Sequence, residues 1–298
     1  MSTLFEFLGS EYVIHLAILV CMYLILAQGL NLTFGLGRMF NLAHVASFAL
    51  GAYTTALLAV ETEAGFFKCV FASMLTSGLF AVLLGGIALR LTQDYFSIGT
   101  LAFSSVVSSL LINWKSVTRG VLGIPGIPRP EIFGIDFYNN TNFLVLIFIV
   151  ACMVQGFFLI LHSGPFGRAL RGQAEYDEAL QAIGCDTATV RNMSFLFSSA
   201  TAGLAGSFFA YYLNYIDPSS FALAEMVFIL TIVVVGRPGS LWGVSLGTVF
   251  LVLLPEPLRF VEINSAYLGP ARQLLQAVIL FTVVYLNRRS LFPPQREV

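Results

Sequence analysis

Residues 163–191 read SGPFGRALRGQAEYDEALQAIGCDTATVR, a polar stretch set between two long apolar runs. The flanking runs, about 142–162 and 192–214, each have the roughly 20 mostly apolar residues that a bilayer demands of a spanning helix. The polar stretch is then a loop on one face of a membrane. Within it Tyr176, Ala179, Leu180 and Ile183 stand at the i, i+3, i+4, i+7 spacing of one apolar stripe on a short helix. Glu175 and Glu178 share a different face, Asp177 and Glu178 lie where negative charge suits the helix start, and Gly184 is placed for a left-handed cap. A helix of roughly two to three turns is marginal in water by itself. It needs a partner groove, its own protein, or the headgroup region. Its acidic face argues against anionic lipid.

The rest of the chain agrees with a membrane setting. Hydrophobic residues make up 57% and charged residues 10% of the 298 residues, with mean hydropathy +0.85, against about 25% charged in soluble domains. No water-soluble fold hides so much apolar surface. Lys68 and Lys115 are the only lysines, and Cys21, Cys69, Cys152 and Cys185 are scattered with no C-x-x-C pair. Neither a disulfide nor a metal site is expected. The N-terminus has no basic n-region and the first apolar run is long enough to span, so no cleaved leader is expected.

Nine spanning segments emerge: about 12–34, 40–60, 68–90, 95–114, 142–162, 192–214, 219–236, 239–257 and 268–287. The expectation is an all-α polytopic membrane protein, one domain over residues 1–298 with about nine transmembrane helices and a range of eight to ten. The range reflects Gly29 to Gly51, whose Gly and Asn content fits a broken or re-entrant helix as well as a clean crossing. With loop 163–191 inside, the inner segments hold Arg38, Arg90, Arg168, Arg171, Arg191, Arg237, Arg288, Arg289 and Arg296. The outer ones hold Lys68, Lys115, Arg119, Arg129, Arg259 and Arg272. That bias has the sign of the positive-inside rule. Tyr211, Tyr212 and Tyr215 then fall where an outer aromatic belt belongs. The long outer loop, 115–141, is rich in Gly and Pro and reads as a rigid cap that could meet a partner protein.

Polar groups inside apolar runs mark candidate sites, because lipid offers them no partner. In GLNLTFGLGRMFNLAHVASFALGAYTTALL, residues 29–58, Asn31, Asn41 and His44 read either as the border of a solute path beside a broken helix or as interhelical hydrogen bonds. Thr100 and Ser104, with Ser105, Ser108 and Ser109, stand in another apolar run, where serines often bond back to their own helix. Ser199 with Gly203, Ala202 with Gly206, and Gly243 with Gly247 have the small-residue spacing of close helix packing. VVVGRPGSLWG, 233–243, reads as an inner turn in which Arg237 is a further candidate contact. The chain has no phosphate loop of the G-x-x-x-x-G-K-[ST] kind, no H-E-x-x-H and no G-x-S-x-G. An enzyme reading therefore has no nucleophile, and an ion-coupled carrier would need a membrane-depth carboxylate, with Glu225 the near candidate.

Glu178-Ala179-Leu180-Gln181-Ala182-Ile183-Gly184 fits E-A-A-x-x-x-G with Leu180 exchanged for the second alanine. That pattern resembles the coupling loop by which ABC importer permeases dock into their ATPases. GLNLTFGLGRMFNLAHVASFALGAY, YFSIGTLAFSS…NW…TRGVLGIPGIP, GPFGRALRG…DEALQAIG…AGLAG and VVVGRPGSLWG…LLPEPLR together resemble the M-type (LivM-like) permeases of branched-chain amino acid ABC importers.

The resemblance implies an ABC importer permease fold in the bacterial inner membrane, moving neutral amino acids by alternating access without catalysis or cofactor of its own. Its implied partners are a related H-type permease, two cytoplasmic ATPase subunits, a periplasmic solute-binding protein and membrane lipid, with no nucleic acid. ATPase coupling would fall to Arg168, Arg171, Tyr176, Glu178, Ala179, Leu180, Ile183 and Gly184, and the path to Asn31, Asn41, His44, Thr100 and Ser104. Gly172-Gln173-Ala174 departs from a commonly charged stretch, which together with Leu180 puts the fine contacts of docking in question. Related transporters carry urea or short amides, and the sequence does not choose the solute.

Overall fold

In lipid a backbone must satisfy its own hydrogen bonds, so a chain this apolar is driven to helices. The computed structural model describes residues 11–88, 93–132, 134–256 and 265–286. Helix α1 (Glu11–Leu30) continues as a π-helix over Asn31–Leu36, and α2 (His44–Glu61) follows a non-helical stretch. Next come α3 (Phe66–Ala88), α4 (Gln93–Asn113), the short α5 (Lys115–Thr118) and α6 (Asn140–Ser163). Two short helices, α7 (Pro165–Glu175) and α8 (Asp177–Ala182), lead into α9 (Thr187–Leu213). Helices α10 (Leu223–Val235), α11 (Leu241–Leu253) and α12 (Ser265–Leu286) complete the described chain.

Helix α9 is the central post. Of its apolar window 72% is buried, against 22% for α6, and it packs chiefly on α2 and α3. Small residues make this possible. A Cβ on Gly51 of α2 would stand 2.4 Å from the Cα of Gly203, and one on Gly203 would stand 2.5 Å from Ser73 O of α3. Hydroxyls fasten the same trio: Ser47 Oγ donates to Ser199 Oγ at 3.0 Å, and Ser77 Oγ to Ser47 O at 2.8 Å. Gly243 and Gly247 of α11 close against Gly236 at the end of α10, so the second small-residue motif packs this hairpin.

Six helices are long and apolar enough to cross a membrane among the described residues: Glu11–Leu36, Phe66–Gly86, Tyr95–Asn113, Asn140–Ser163, Thr187–Leu213 and Gly269–Leu286. The expected count of nine is therefore not reached on length and hydropathy. Of the three expected spans that are missing, His44–Glu61 is an 18-residue helix and the other two are shorter still. Helices α10 and α11 have 13 residues each, about 20 Å at ~1.5 Å per residue, short of a ~30 Å hydrocarbon core. A 3-10 turn over Pro218–Phe221 precedes the first, and Pro255 follows the second. Of the basic residues used for orientation, Arg90, Arg259, Arg288, Arg289 and Arg296 lie outside the described residues.

One end of the bundle is a cap. Strand β1 (Ile124–Pro125) pairs antiparallel with β4 (Tyr215–Ile216), and β2 (Glu131–Ile132) with β3 (Ile135–Asp136). Arg129 stitches the cap together, donating to Tyr138 O, Asn140 Oδ1 and Tyr212 O at 2.9–3.0 Å and lying 5.2 Å from the Tyr212 ring centre. This overturns the belt expectation for Tyr211 and Tyr212, which are buried, while Tyr215 is exposed. Their rings brace the cap from within, Tyr212 bonding His15 at 2.6 Å. The opposite end carries α7 and α8.

Gly203→Val forces a side chain onto Ser73 O and is expected to cost roughly 1–3 kcal/mol or more. Gly86→Val, which meets open space, is expected to stay within about 1 kcal/mol, the order of a β-branched residue's helix propensity. Thermal denaturation of the purified protein in mild detergent compares the two.

Candidate functional site

Between α1 and α2 the chain abandons α-helical geometry from Asn31 to Ala43, and the buried polar residues there serve the backbone. Asn31 Oδ1 accepts from Gly239 N at 2.8 Å, linking the π-turn to the α10–α11 turn. Gly35 leaves room for that link, since a Cβ there would stand 2.1 Å from Asn31 Oδ1 and 2.4 Å from Gly239 N. Asn41 Oδ1 accepts from Ala43 N at 3.0 Å just before α2 begins. Thr100 Oγ1 of α4 accepts from Leu42 N at 3.1 Å and donates to Ser97 O at 2.9 Å. His44 Nε2 bonds Leu26 O at 3.0 Å; a carbonyl only accepts, so Nε2 carries the hydrogen and Nδ1 accepts from Ser198 Oγ at 3.2 Å. Asn31, Asn41, His44 and Thr100 are all buried, while Ser104 is half-buried on α4.

Gln28 and Ser198 escaped the sequence reading, and Gly239 was read only as part of an inner turn or a further contact. Gln28 Nε2 donates to Leu241 O at 2.9 Å. Its position one turn before Asn31 in an otherwise apolar helix was the available signal.

The polar loop folds differently from one continuous stripe. Tyr176 is extended, at φ −148° and ψ 84°, and separates α7 from α8. Tyr176, Glu178, Ala179 and Ile183 are exposed, whereas Leu180 turns back onto α7. A Cβ on Gly172 would meet Leu180 Cδ1 at 2.8 Å, so the two departures from the family pattern touch each other. Gly184 has φ +84°; its N–H bonds Gln181 O and that of Cys185 bonds Leu180 O, a Schellman cap. Arg168 and Arg171 donate to Ser163 O and His162 O, carbonyls at the end of α6. Asp177 pairs with Arg191, tying α8 to α9. Asp186 caps α9, and the Thr189 hydroxyl and N–H hold its carboxyl below the usual range.

The two regions meet. A recess of about 500 Å³ is bounded by Gly35, Leu36 and Arg38 of the break, Arg171, Ala174 and Glu175 of α7, and Arg237 to Ser240 of the α10–α11 turn. Helix α7 and the broken helix thus face the same recess.

The model of the family described as branched-chain amino acid transport system / permease component matches residues 12–284. The chain belongs to this family. The permease is 34% identical over 293 residues to the high-affinity branched-chain amino acid transport system permease protein LivM of Salmonella typhimurium, covering 90% of this chain and 69% of the relative. Its identity to LivM of Escherichia coli is 33% at the same coverage. A probable LivH permease of Methanocaldococcus jannaschii is 24% identical, covering 90% of the permease and 86% of the relative. No solved structure matches. The LivM-like resemblance drawn from the motifs is thus established.

Thr100→Val leaves Leu42 N buried without an acceptor and is expected to destabilise the permease by about 1–3 kcal/mol. Thr100→Ser keeps the acceptor and is expected to lose less than half as much in the same melting assay.

Proposed function

We propose that the permease is the membrane subunit of an ATP-driven importer that carries branched-chain or other neutral amino acids across the bacterial inner membrane. One observation carries the reading: α7 and the helix break wall a single recess. The solute class is that named for the LivM relatives. An H-type permease forms the second half of the channel, two cytoplasmic ATPases burn the nucleotide, and a periplasmic binding protein delivers the solute.

In this mechanism loop 163–191 is cytoplasmic. Tyr176, Glu178, Ala179 and Ile183 enter a groove on an ATPase, because all four are exposed and Tyr176 and Ile183 are the large apolar side chains that the loop leaves exposed. Leu180 and Gly184 hold the shape of α8. Arg168 and Arg171 lock α7 to α6, so a pull on α8 travels along a rigid rod instead of bending it. The rod moves the recess wall, and the break at Asn31 to Ala43 repacks between outward- and inward-facing states. Asn31, Asn41, His44, Thr100 and Ser104 frame that break beside the path. The competing carrier reading draws on Glu225, bonded to Tyr23 at 2.6 Å within the bundle, and predicts ion-driven uptake by this chain alone.

Affinity purification of the permease from its native membrane in mild detergent is expected to recover an ATPase and a second permease; uptake by the lone chain refutes the reading. Gln181→Cys should react with membrane-impermeant maleimide in inside-out vesicles and not in intact cells, and the reverse pattern overturns the coupling role. Gly184→Val strains a left-handed residue, whereas Asn tolerates that conformation. Ten-fold or greater loss of uptake per ATP hydrolysed is expected for Gly184→Val, with Gly184→Asn nearer the parent and solute capture unchanged in both.

A further inference from the structure

A second recess, of about 230 Å³, lies between α1, α10, the end of α11 and α12. Tyr23 stands near the middle of the 26-residue apolar helix Glu11–Leu36, twelve residues after Glu11 and thirteen before Leu36. Tyr23 donates to Glu225 Oε1 at 2.6 Å. Glu256 lines the same recess, and its Oε2 is enclosed with no hydrogen-bond partner among the described residues. Gln273 and Gln276, three apart on α12 and so on one face, add amides to the lining. Leu19 and Phe228 supply apolar wall.

A carboxylate inside a membrane bundle is costly unless something pairs with it. Tyr23 answers one oxygen of Glu225, an acid in the first turn of α10, whereas Oε2 of Glu256 is enclosed without a partner among the described residues. At ~30 Å³ per water the space of about 230 Å³ holds about eight waters, room enough for an aliphatic amino acid. The set is complementary to a zwitterion with an aliphatic side chain: acceptors for an ammonium, amide donors for a carboxylate, and apolar surface beside them.

We propose that this recess is the solute site of the membrane domain, taking an aliphatic amino acid with its ammonium against Glu225 and Glu256. The solute carboxylate faces Gln273 and Gln276, and the side chain lies on Leu19 and Phe228. The proposal rests on the importer reading and adds to it the group that selects a zwitterion over a fatty acid or an amide. A solute without an ammonium leaves both glutamates unpaired and brings a third negative charge, a loss of at least about 30-fold in affinity.

The test uses the purified complex of the permease with its partner subunits, without the binding protein. Radiolabelled L-leucine binding is competed with isocaproate, which lacks the ammonium, and isoamylamine, which lacks the carboxylate. Leucine and, more weakly, isoamylamine should compete, and isocaproate should not. Glu225→Gln with Glu256→Gln should lower leucine affinity at least about 30-fold, and Glu225→Asp should recover part of it. Assembly with the ATPase and basal ATP hydrolysis report folding of each variant. If the glutamine variants fail to assemble, Gln273→Leu carries the test: leucine affinity should fall while isoamylamine affinity holds. Parental leucine affinity in the variants, or isocaproate competing as well as leucine, overturns the site. ATP-driven leucine uptake by the parent complex in proteoliposomes separates the two failures. Uptake without these binding effects overturns the site alone; no uptake overturns the importer reading and the site with it.

Discussion

A peptide group inside a membrane domain has no water to fall back on, and this bundle contains a stretch of backbone that is neither α-helix nor sheet. Everything around Asn31 to Ala43 answers that constraint. The side chains of Asn41 and Thr100 accept from backbone N–H groups at the start of α2, and Asn31 accepts from Gly239 across the bundle. His44 fixes the level of α2 against α1 and α9 with one hydrogen given and one received. Leaving one such group unanswered costs about 1–3 kcal/mol, a large share of the 5–15 kcal/mol by which folded domains are usually stable.

The break is tolerable only because it is enclosed, and it is enclosed because α9 brings three helices nearly into backbone contact. Gly51, Gly203 and Gly206 remove the side chains that would hold α2 and α9 apart. Irregular backbone, small-residue packing and buried hydroxyls are therefore one device. Lipid gives helices little hydrophobic reason to associate, so close packing and hydrogen bonds must hold them.

The loop at the other functional region shows a local exchange. Leu180 replaces a small residue on α8, and Gly172 on α7 is small where charge is common; the larger side chain occupies the space the smaller one leaves. The residues left exposed, Tyr176 and Ile183 among them, keep an apolar surface free.

Composition and span length alone determined a helical membrane protein, and the motifs alone determined its family. Gly184 was readable as a cap because its position after the last stripe residue admits few other roles. Tertiary structure decided the rest. The polarity of Asn31 and His44 marked them as special, but only the fold revealed partners on distant segments, Gly239 and Ser198, since hydrogen bonds across helices leave no periodicity. The burial of Tyr211 and Tyr212 and the turning of Leu180 onto Gly172 were equally beyond reach, because a stripe specifies a face and not what covers it. Glu225 was legible as a lone acid; that Tyr23, Glu256 and α12 gather around it required helices remote in sequence to stand side by side.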